Sequence, residues 1–128
     1  MKRILLVDDQ AHVLRVIKLS LDRNGFEVDT ALTGEIALQM LAENTYDIVI
    51  TDLDMPGMTG KDLCQSIEQN FPVDPSLNFI IIDEPSAELS DWVLTLQKTE
   101  LVEKPLSLRW LVARLNKHFG HFDQAANG

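Results

Sequence analysis

Residues 3–9 read RILLVDD, a short apolar run that ends abruptly in two acids, Asp8 and Asp9. A strand of a parallel sheet has this composition when helices cover both of its faces. The apolar part of the run is therefore predicted to be a buried strand. Residues 10–24 are predicted to follow as a helix, because apolar residues recur there at spacings of three and four and Gly25 favours a left-handed helix end.

The same alternation of strand and helix repeats along the rest of the chain. Short apolar or extended runs predict four more strands, at residues 26–31, 46–51, 79–82 and 101–103. A further helix is predicted at residues 86–97, and hydroxyl residues in capping positions predict helices that begin after Thr33, Thr59 and Ser107. The inner face of the helix after Thr33 is predicted to consist of Ile36, Ala37, Met40 and Leu41.

Strands and helices that alternate at these lengths imply parallel strand pairing with right-handed crossovers. We therefore predict an α/β fold, in which an open, doubly wound parallel sheet has helices on both faces. Ligands of such sheets bind at the carboxyl ends of the strands. Acids follow three of the predicted strands at that edge: Asp8 and Asp9, Asp52 with Asp54 nearby, and Asp83 with Glu84.

Acids that converge at one edge of a sheet repel one another, because like charges a few ångströms apart raise each other's pKa or require a cation. Oxygen ligands with no His or Cys among them favour Mg²⁺. Lys104 lies before Pro105 at the end of the fifth predicted strand and supplies a second positive charge. A metal ion together with a lysine indicates a site for phosphoryl groups.

The composition is that of one folded domain. The chain has 128 residues, of which 45% are hydrophobic, and its net charge of −9 argues against nucleic acid as a direct partner. No apolar run approaches the roughly 20 residues that span a bilayer, and no signal peptide is recognisable. A cytoplasmic location without membrane attachment is therefore predicted. The single cysteine, Cys64, is expected to be a buried packing residue.

Three motifs, in this order, resemble the receiver domain of two-component response regulators: VDDQ at residues 7–10, DLDMPGMTG at 52–60 and EKP at 103–105. The resemblance covers about residues 2–119 and is of the chemotaxis-regulator-like type. It implies a flavodoxin-like (βα)5 sheet with strand order 2-1-3-4-5. It also implies a receiver domain at residues 1–119, followed at 120–128 by a tail or the start of a linker.

The resemblance implies a role for each acid at the sheet edge. Asp52 would take a phosphoryl group from a histidine kinase or a phosphotransfer protein, and Lys104 would contact that group. Mg²⁺ would be bound directly by Asp9 and Asp52, by Asp8 largely through water, and by Asp54 through its backbone carbonyl. The domain would phosphorylate and dephosphorylate only itself, so it is not expected to be an enzyme for a separate substrate.

The resemblance also implies an output partner on the face formed by the fourth predicted helix, the fifth strand and the last helix, with Trp92, Leu101 and Trp110 as candidate contacts. Two positions depart from the family. Asp83 stands where the family has a Thr or Ser that bonds the phosphoryl group, and a register shifted by one places Ile82 there instead. Leu101 stands where the family has an aromatic switch residue. We therefore predict a receiver that accepts phosphate but switches weakly.

Other functions remain open at this point. The main alternative is a pseudo-receiver that binds proteins independently of phosphorylation. A haloacid-dehalogenase-type phosphatase is disfavoured because that class has its nucleophile on the first strand, whereas here Asp8 and Asp9 precede Asp52. A dinucleotide-binding domain requires a glycine-rich turn after the first strand, which this sequence does not have. The cognate kinase, the output, homodimer formation and the completeness of the chain stay open.

Overall fold

The computed structural model describes residues 2–70, 78–83, 99–103 and 106–120. Within these ranges it contains five strands and four helices, and none of these helices is long and apolar enough to cross a bilayer. The helix predicted at residues 86–97 lies outside the described residues. The elements in chain order are β1 (Arg3–Val7), α1 (Ala11–Arg23), β2 (Glu27–Ala31), α2 (Gly34–Glu43), β3 (Ile48–Asp52), α3 (Gly60–Asn70), β4 (Asn78–Asp83), β5 (Thr99–Glu103) and α4 (Leu108–Phe119).

The five strands form one parallel sheet in the order β2-β1-β3-β4-β5, which confirms the predicted fold. β1 is an inner strand, because Leu6 is in register with Thr30 of β2 on one side and with Ile50 of β3 on the other. Its residues from Ile4 to Val7 are all buried. The apolar run near the start of the chain is thus explained by a strand that other strands flank and helices cover.

Helices cover both faces of this sheet, and each face has its own hydrophobic core. Successive residues of β1 and β3 alternate between the two cores, because neighbouring side chains of a strand point to opposite faces. Cys64 is buried in the second core, as predicted. On the first face, α1 and α4 contribute Leu14, Ile17, Leu21, Leu111 and Leu115. On the second face, α2 and α3 contribute Ala37, Leu63, Cys64 and Ile67.

The predicted hydroxyl caps are present at the starts of α2, α3 and α4. The Ile36 N–H donates to Thr33 Oγ1 at 3.1 Å, and the Trp110 N–H donates to Ser107 Oγ at 3.2 Å. Each cap pairs a backbone N–H that the helix itself leaves without an acceptor. After α1, Gly25 has a φ of 88°, the left-handed conformation that ends the helix before β2.

One prediction for α2 is wrong. The sequence predicts Ile36 on the inner face of this helix, but 41% of its surface is exposed. Gly34 and Ala37 occupy the buried positions of the first turn instead. Ile36 precedes Ala37 by one residue and is therefore rotated by about 100° around the helix axis, away from the core. Met40 and Leu41 pack partly buried against the core, as predicted.

Candidate functional site

The carboxyl ends of β1 and β3 bring three acids together. Asp8 and Asp9 follow β1 directly, and Asp52 is the last residue of the neighbouring strand β3. One carboxylate oxygen from each of these side chains lies within 4.8 Å of the other two. The sequence predicts that these acids converge, and the structure brings them close enough to share one cation.

Asp8 lies against the start of α1. Its side chain is 8% exposed, and its Oδ1 accepts a hydrogen bond from the Gln10 N–H at 2.9 Å. Burial raises the pKa of the Asp8 carboxyl above its ordinary value, the hydrogen bond from Gln10 lowers it, and the charges of Asp52 and Asp9 raise it further. Burial and the neighbouring negative charges therefore disfavour the ionised form of Asp8. A cation bound among the three carboxylates would stabilise that form.

Asp52 and Asp54 occupy different environments although they are two residues apart. Asp52 is only 4% exposed, and its Oδ1 lies 3.4 Å from the Asp54 backbone nitrogen, which donates to it. The Asp54 side chain is exposed and does not belong to the three converging carboxylates. The backbone of Asp54, and not its side chain, therefore contacts Asp52.

A tight loop follows β3 and fixes the end of the strand. The Gly60 N–H donates to the Leu53 carbonyl at 2.9 Å and closes this loop before α3. A Cβ on Gly60 would lie 2.8 Å from Leu53 Cα and closer still to the Asp52 carbonyl oxygen, so any larger residue would displace the strand end. Thr59 and Asp62 cap α3 reciprocally, because the backbone N–H of each donates to the side chain of the other.

The backbones of β4 and β5 continue the same edge of the sheet. Asp52 is in register with Ile82, and β4 extends one residue further to Asp83. Asp83 is paired in turn with Glu103, the last residue of β5. Both positions considered for the missing hydroxyl therefore lie on the strand next to Asp52. Three predicted residues lie outside the described part of the chain: Glu84, Trp92 and Lys104.

The predicted output face is described in part. Leu101 lies in β5, in register with Ile81 of β4. Trp110 lies in the first turn of α4, and 41% of its surface is exposed. Trp110 is therefore a surface residue of this face and not a core residue.

The arrangement of strands and acids agrees with the proteins that this chain resembles. A family model described as the response regulator receiver domain matches residues 4–116. The chain belongs to this family. Membership in the receiver family implies a phosphoacceptor role in two-component signalling.

Relatives of this receiver domain include the response regulator ArlR of Staphylococcus saprophyticus, which is 31% identical over 117 residues. That match covers 90% of this chain and 51% of ArlR, so the chain spans about half the length of this curated relative. Among solved structures, TrrA of Thermotoga maritima in complex with Mg²⁺-BeF has a TM-score of 0.77 and 32% identity, with 92% of this chain and 99% of that chain covered. The chemotaxis protein CheY4 of Vibrio cholerae has a TM-score of 0.83 and 25% identity, with 91% and 98% covered.

Receiver domains bind Mg²⁺ in an acidic pocket, and the cluster in this receiver domain fits such an ion. The cluster found among the described residues consists of carboxylates alone, which are hard oxygen ligands, and contains no His or Cys. Burial raises the pKa of Asp8, and the nearby charges of Asp52 and Asp9 raise it further; a cation would offset this repulsion between like charges. The residues present are therefore chemically suited to Mg²⁺.

Sequence reasoning predicted Thr59 as a helix cap but missed the reciprocal role of Asp62 and the close approach of Gly60 in the loop that supports this receiver site. The spacing of Thr59 and Asp62 is that of a capping box, so their pairing was readable from the sequence once the acid three residues after the cap is considered. Gly60 ends the DLDMPGMTG motif, but its close approach to the Asp52 carbonyl is visible only in the structure. That approach depends on how the loop folds back onto the strand, which no local pattern encodes.

Proposed function

We propose that Asp52 accepts a phosphoryl group from a histidine kinase or a phosphotransfer protein, with Mg²⁺ held by Asp8, Asp9, Asp52 and the backbone carbonyl of Asp54. Lys104 is proposed to neutralise the phosphoryl oxygens from the end of β5. The activity is confined to phosphorylation and dephosphorylation of the chain itself. The proposed location is the cytoplasm, where such donors are found.

The approach of three carboxylates to within 4.8 Å of one another is the observation that carries this proposal. Asp52 lies at the carboxyl end of an inner strand, which is where open parallel sheets bind their ligands. TrrA, which is 32% identical to this chain, was solved in complex with Mg²⁺-BeF, and this similarity supports the same ion here. Family membership supports the acceptor role.

The transfer begins when a carboxylate oxygen of Asp52 attacks the phosphorus of a phosphohistidine in line. An O–P bond forms as the P–N bond breaks, and the electron pair of the P–N bond stays on the imidazole nitrogen. Asp8 and Asp9 hold a cation beside the acceptor, and a bound Mg²⁺ supplies positive charge at the phosphoryl oxygens. Water later attacks the aspartyl phosphate, which releases inorganic phosphate and restores the Asp52 carboxylate.

We also propose that phosphorylation changes the output face of this domain less than is usual in the family. Asp83 and Leu101 replace the hydroxyl and the aromatic residue that the family uses to report phosphorylation. The face near Trp110 is proposed to contact the output partner, which its 41% exposure permits. A receiver domain that ends at residue 119 is supported by the left-handed Gly120, with a φ of 76°, which terminates α4.

A pseudo-receiver is the second candidate function, and the same two departures favour it. In that case the fold presents a binding surface and Asp52 is never phosphorylated. The two candidates differ in a single measurable property, the covalent adduct on Asp52.

Intact-mass analysis after incubation with phosphoramidate and Mg²⁺ tests the proposal. We expect one phosphoryl adduct on the wild type and none on Asp52→Asn. Asp22→Asn is the matched control, because this exposed acid lies on α1 and pairs with Lys18 at 3.0 Å, away from the cluster. An adduct on Asp52→Asn as abundant as on the wild type would overturn the acceptor assignment. No adduct on the wild type, with Mg²⁺ and donor both present, would favour the pseudo-receiver.

A further inference from the structure

The loop between β3 and α3 rests on the first turn of α2. Met58 of this loop lies directly over Gly34, the first residue of α2. Gly57 lies beside the next residue of the helix, since a Cβ on Gly57 would be 3.9 Å from Glu35 Oε1. Two successive loop residues thus face two successive residues of α2.

The contact between Met58 and Gly34 leaves no room for a side chain on the helix. A Cβ on Gly34 would lie 2.6 Å from Met58 Sδ, 2.8 Å from Cγ and 3.0 Å from Cβ. A change of the Met58 rotamer can move Sδ and Cγ, but Cβ moves only with the backbone. Gly34 is buried and its φ is not positive, so the reason for a glycine here is the space that Met58 occupies.

Other contacts fix the remainder of the loop. Met55 is 4% exposed and packs in the core beneath α2 and α3, while Gly60 closes the loop by donating to the Leu53 carbonyl. Asp54 lies between the end of β3 and these anchors, and its own N–H points to Asp52 Oδ1. The direction of the Asp54 carbonyl therefore depends on where the loop is seated.

We propose that Gly34 and Met58 are positioning residues, whose contact seats the loop so that the Asp54 carbonyl can complete the Mg²⁺ site. This inference rests on the proposed function, because it takes Asp54 as one of the metal ligands. Neither residue touches the ion or the phosphoryl group. Both act through the backbone of the loop.

The Mg²⁺ dissociation constant of the full chain is the measurement that tests this role, obtained by calorimetric titration. Gly34→Ala should weaken Mg²⁺ binding by about tenfold, the lower end of the effect for contacts that orient metal ligands. Alanine is the better helix former, so α2 itself is not weakened by this change. The amide resonances of residues 54–60 should shift in the metal-free variant, because the loop has moved.

A double-mutant cycle distinguishes displacement of the loop from unrelated effects. Met58→Ala removes Sδ and Cγ, the two atoms nearest the added Cβ, so Gly34→Ala should weaken Mg²⁺ binding by a smaller factor in the Met58→Ala background than in the wild type. Ile67→Val is the matched control, since it trims the same core from α3, outside the loop. That control should lower the melting temperature and leave the Mg²⁺ dissociation constant unchanged.

Unchanged Mg²⁺ affinity in Gly34→Ala would overturn the inference, as would full additivity in the double variant. If Gly34→Ala does not fold, Met58→Ala decides alone, and wild-type affinity in that variant refutes the positioning role. A wild type that binds no Mg²⁺ is a different result. It refutes the metal site in the proposed function, whereas the outcomes above concern the loop only.

Discussion

Acids gather at both ends of the parallel sheet, and the two groups differ in what surrounds them. At the amino end, the Arg3 guanidinium lies 3.1 Å from Asp29 Oδ2 and 3.7 Å from Glu27 Oε1. At the carboxyl end, Asp8, Asp9 and Asp52 point their oxygens at one another. The amino-end group consists of paired charges, and the carboxyl-end group is organised around a common space.

The polar contacts described at the amino end connect β1 and β2 with each other and with the residues just before β3. Tyr46 donates its hydroxyl to Asp29 Oδ2 at 2.6 Å, and burial together with this carboxylate raises the pKa of Tyr46 above its ordinary value. The Arg3 guanidinium lies 5.0 Å from the centre of the Tyr46 ring, and the Arg3 backbone N–H donates to Asp47 Oδ2 at 2.9 Å. These contacts tie together the starts of β1, β2 and β3.

The difference shows how one sheet divides stability and function between its ends. Opposite charges at the amino end are paired within the chain, although the buried Nε of Arg3 makes no hydrogen bond among the described residues, so that end contributes to folding. At the carboxyl end, burial and then the like charges of Asp52 and Asp9 raise the pKa of Asp8, and they oppose folding until a cation arrives. Substitutions of acids should therefore have opposite effects at the two ends.

The largest expected effect is at the amino end. Arg3→Ala should lower the free energy of unfolding by about 2 kcal/mol, because it removes the cation that faces Glu27 and Asp29 and the contact with the Tyr46 ring. The Arg3 side chain is 30% exposed, which keeps the effect moderate. Urea denaturation measures it. Arg23→Ala, an exposed arginine at the end of α1, is the control and should change stability by less than about 0.5 kcal/mol.

Mg²⁺ should produce the next largest effect, and only through the carboxyl end. At a Mg²⁺ concentration ten times its dissociation constant, the free energy of unfolding should rise by about 1.4 kcal/mol. Asp9→Ala combined with Asp52→Ala should abolish this response, whereas Arg3→Ala should retain it in full. Differential scanning calorimetry with and without Mg²⁺ measures the change. The comparison of the two ends breaks down if the double variant responds like the wild type.

Substituting one acid at each end should change the free energy of unfolding by a smaller amount, and the two changes should have opposite signs. Asp8→Asn should raise the stability of the metal-free protein by about 1 kcal/mol, because the amide keeps the hydrogen bond from Gln10 and removes a crowded charge. Asp29→Asn should lower stability, because Arg3 and Tyr46 both donate to that carboxylate. Urea denaturation in the presence of a chelator compares them. Destabilisation by both substitutions would remove the distinction between the ends.

The carboxyl-end acids could be predicted from the sequence, and the amino-end cluster could not. Asp8, Asp9 and Asp52 directly follow or end apolar strands, so strand order alone brings them to one edge. Arg3, Asp29 and Tyr46 have no such marker, because each is an ordinary residue of its own segment and they meet only when three strands are in register. Ile36 was assigned to the wrong face although Thr33 correctly marked the start of α2, because the start of a helix does not determine which side chains of its first turn face the core.

The smallest expected effect concerns the other half of the carboxyl edge, where β4 ends at Asp83. An ionised carboxylate only accepts hydrogen bonds, so Asp83 cannot replace a hydroxyl that donates to the phosphoryl group. Ionised Asp83 would also repel a phosphoryl group on Asp52. Two like unit charges about 4 Å apart repel by about 4 kcal/mol at an effective dielectric near 20, before a cation offsets the repulsion. Phosphorylation should therefore draw the end of β4 toward Asp52 only weakly. Leu101 likewise has no aromatic ring to move between an exposed and a buried position.

Amide chemical shifts recorded with and without beryllofluoride and Mg²⁺ measure this coupling. We expect clear changes at Asp8, Asp52 and Asp54, where the ligand binds, and small changes at Leu101 and Trp110. Asp83→Thr restores the donor and should enlarge the changes at these two distant positions, because β4 can then follow the bound group. Changes at Leu101 and Trp110 that are large in the wild type, and no smaller than in Asp83→Thr, would show that this receiver switches without the hydroxyl. In that case the carboxyl edge would act as one unit across all of its strands, and the division of the edge at Asp83 would be wrong.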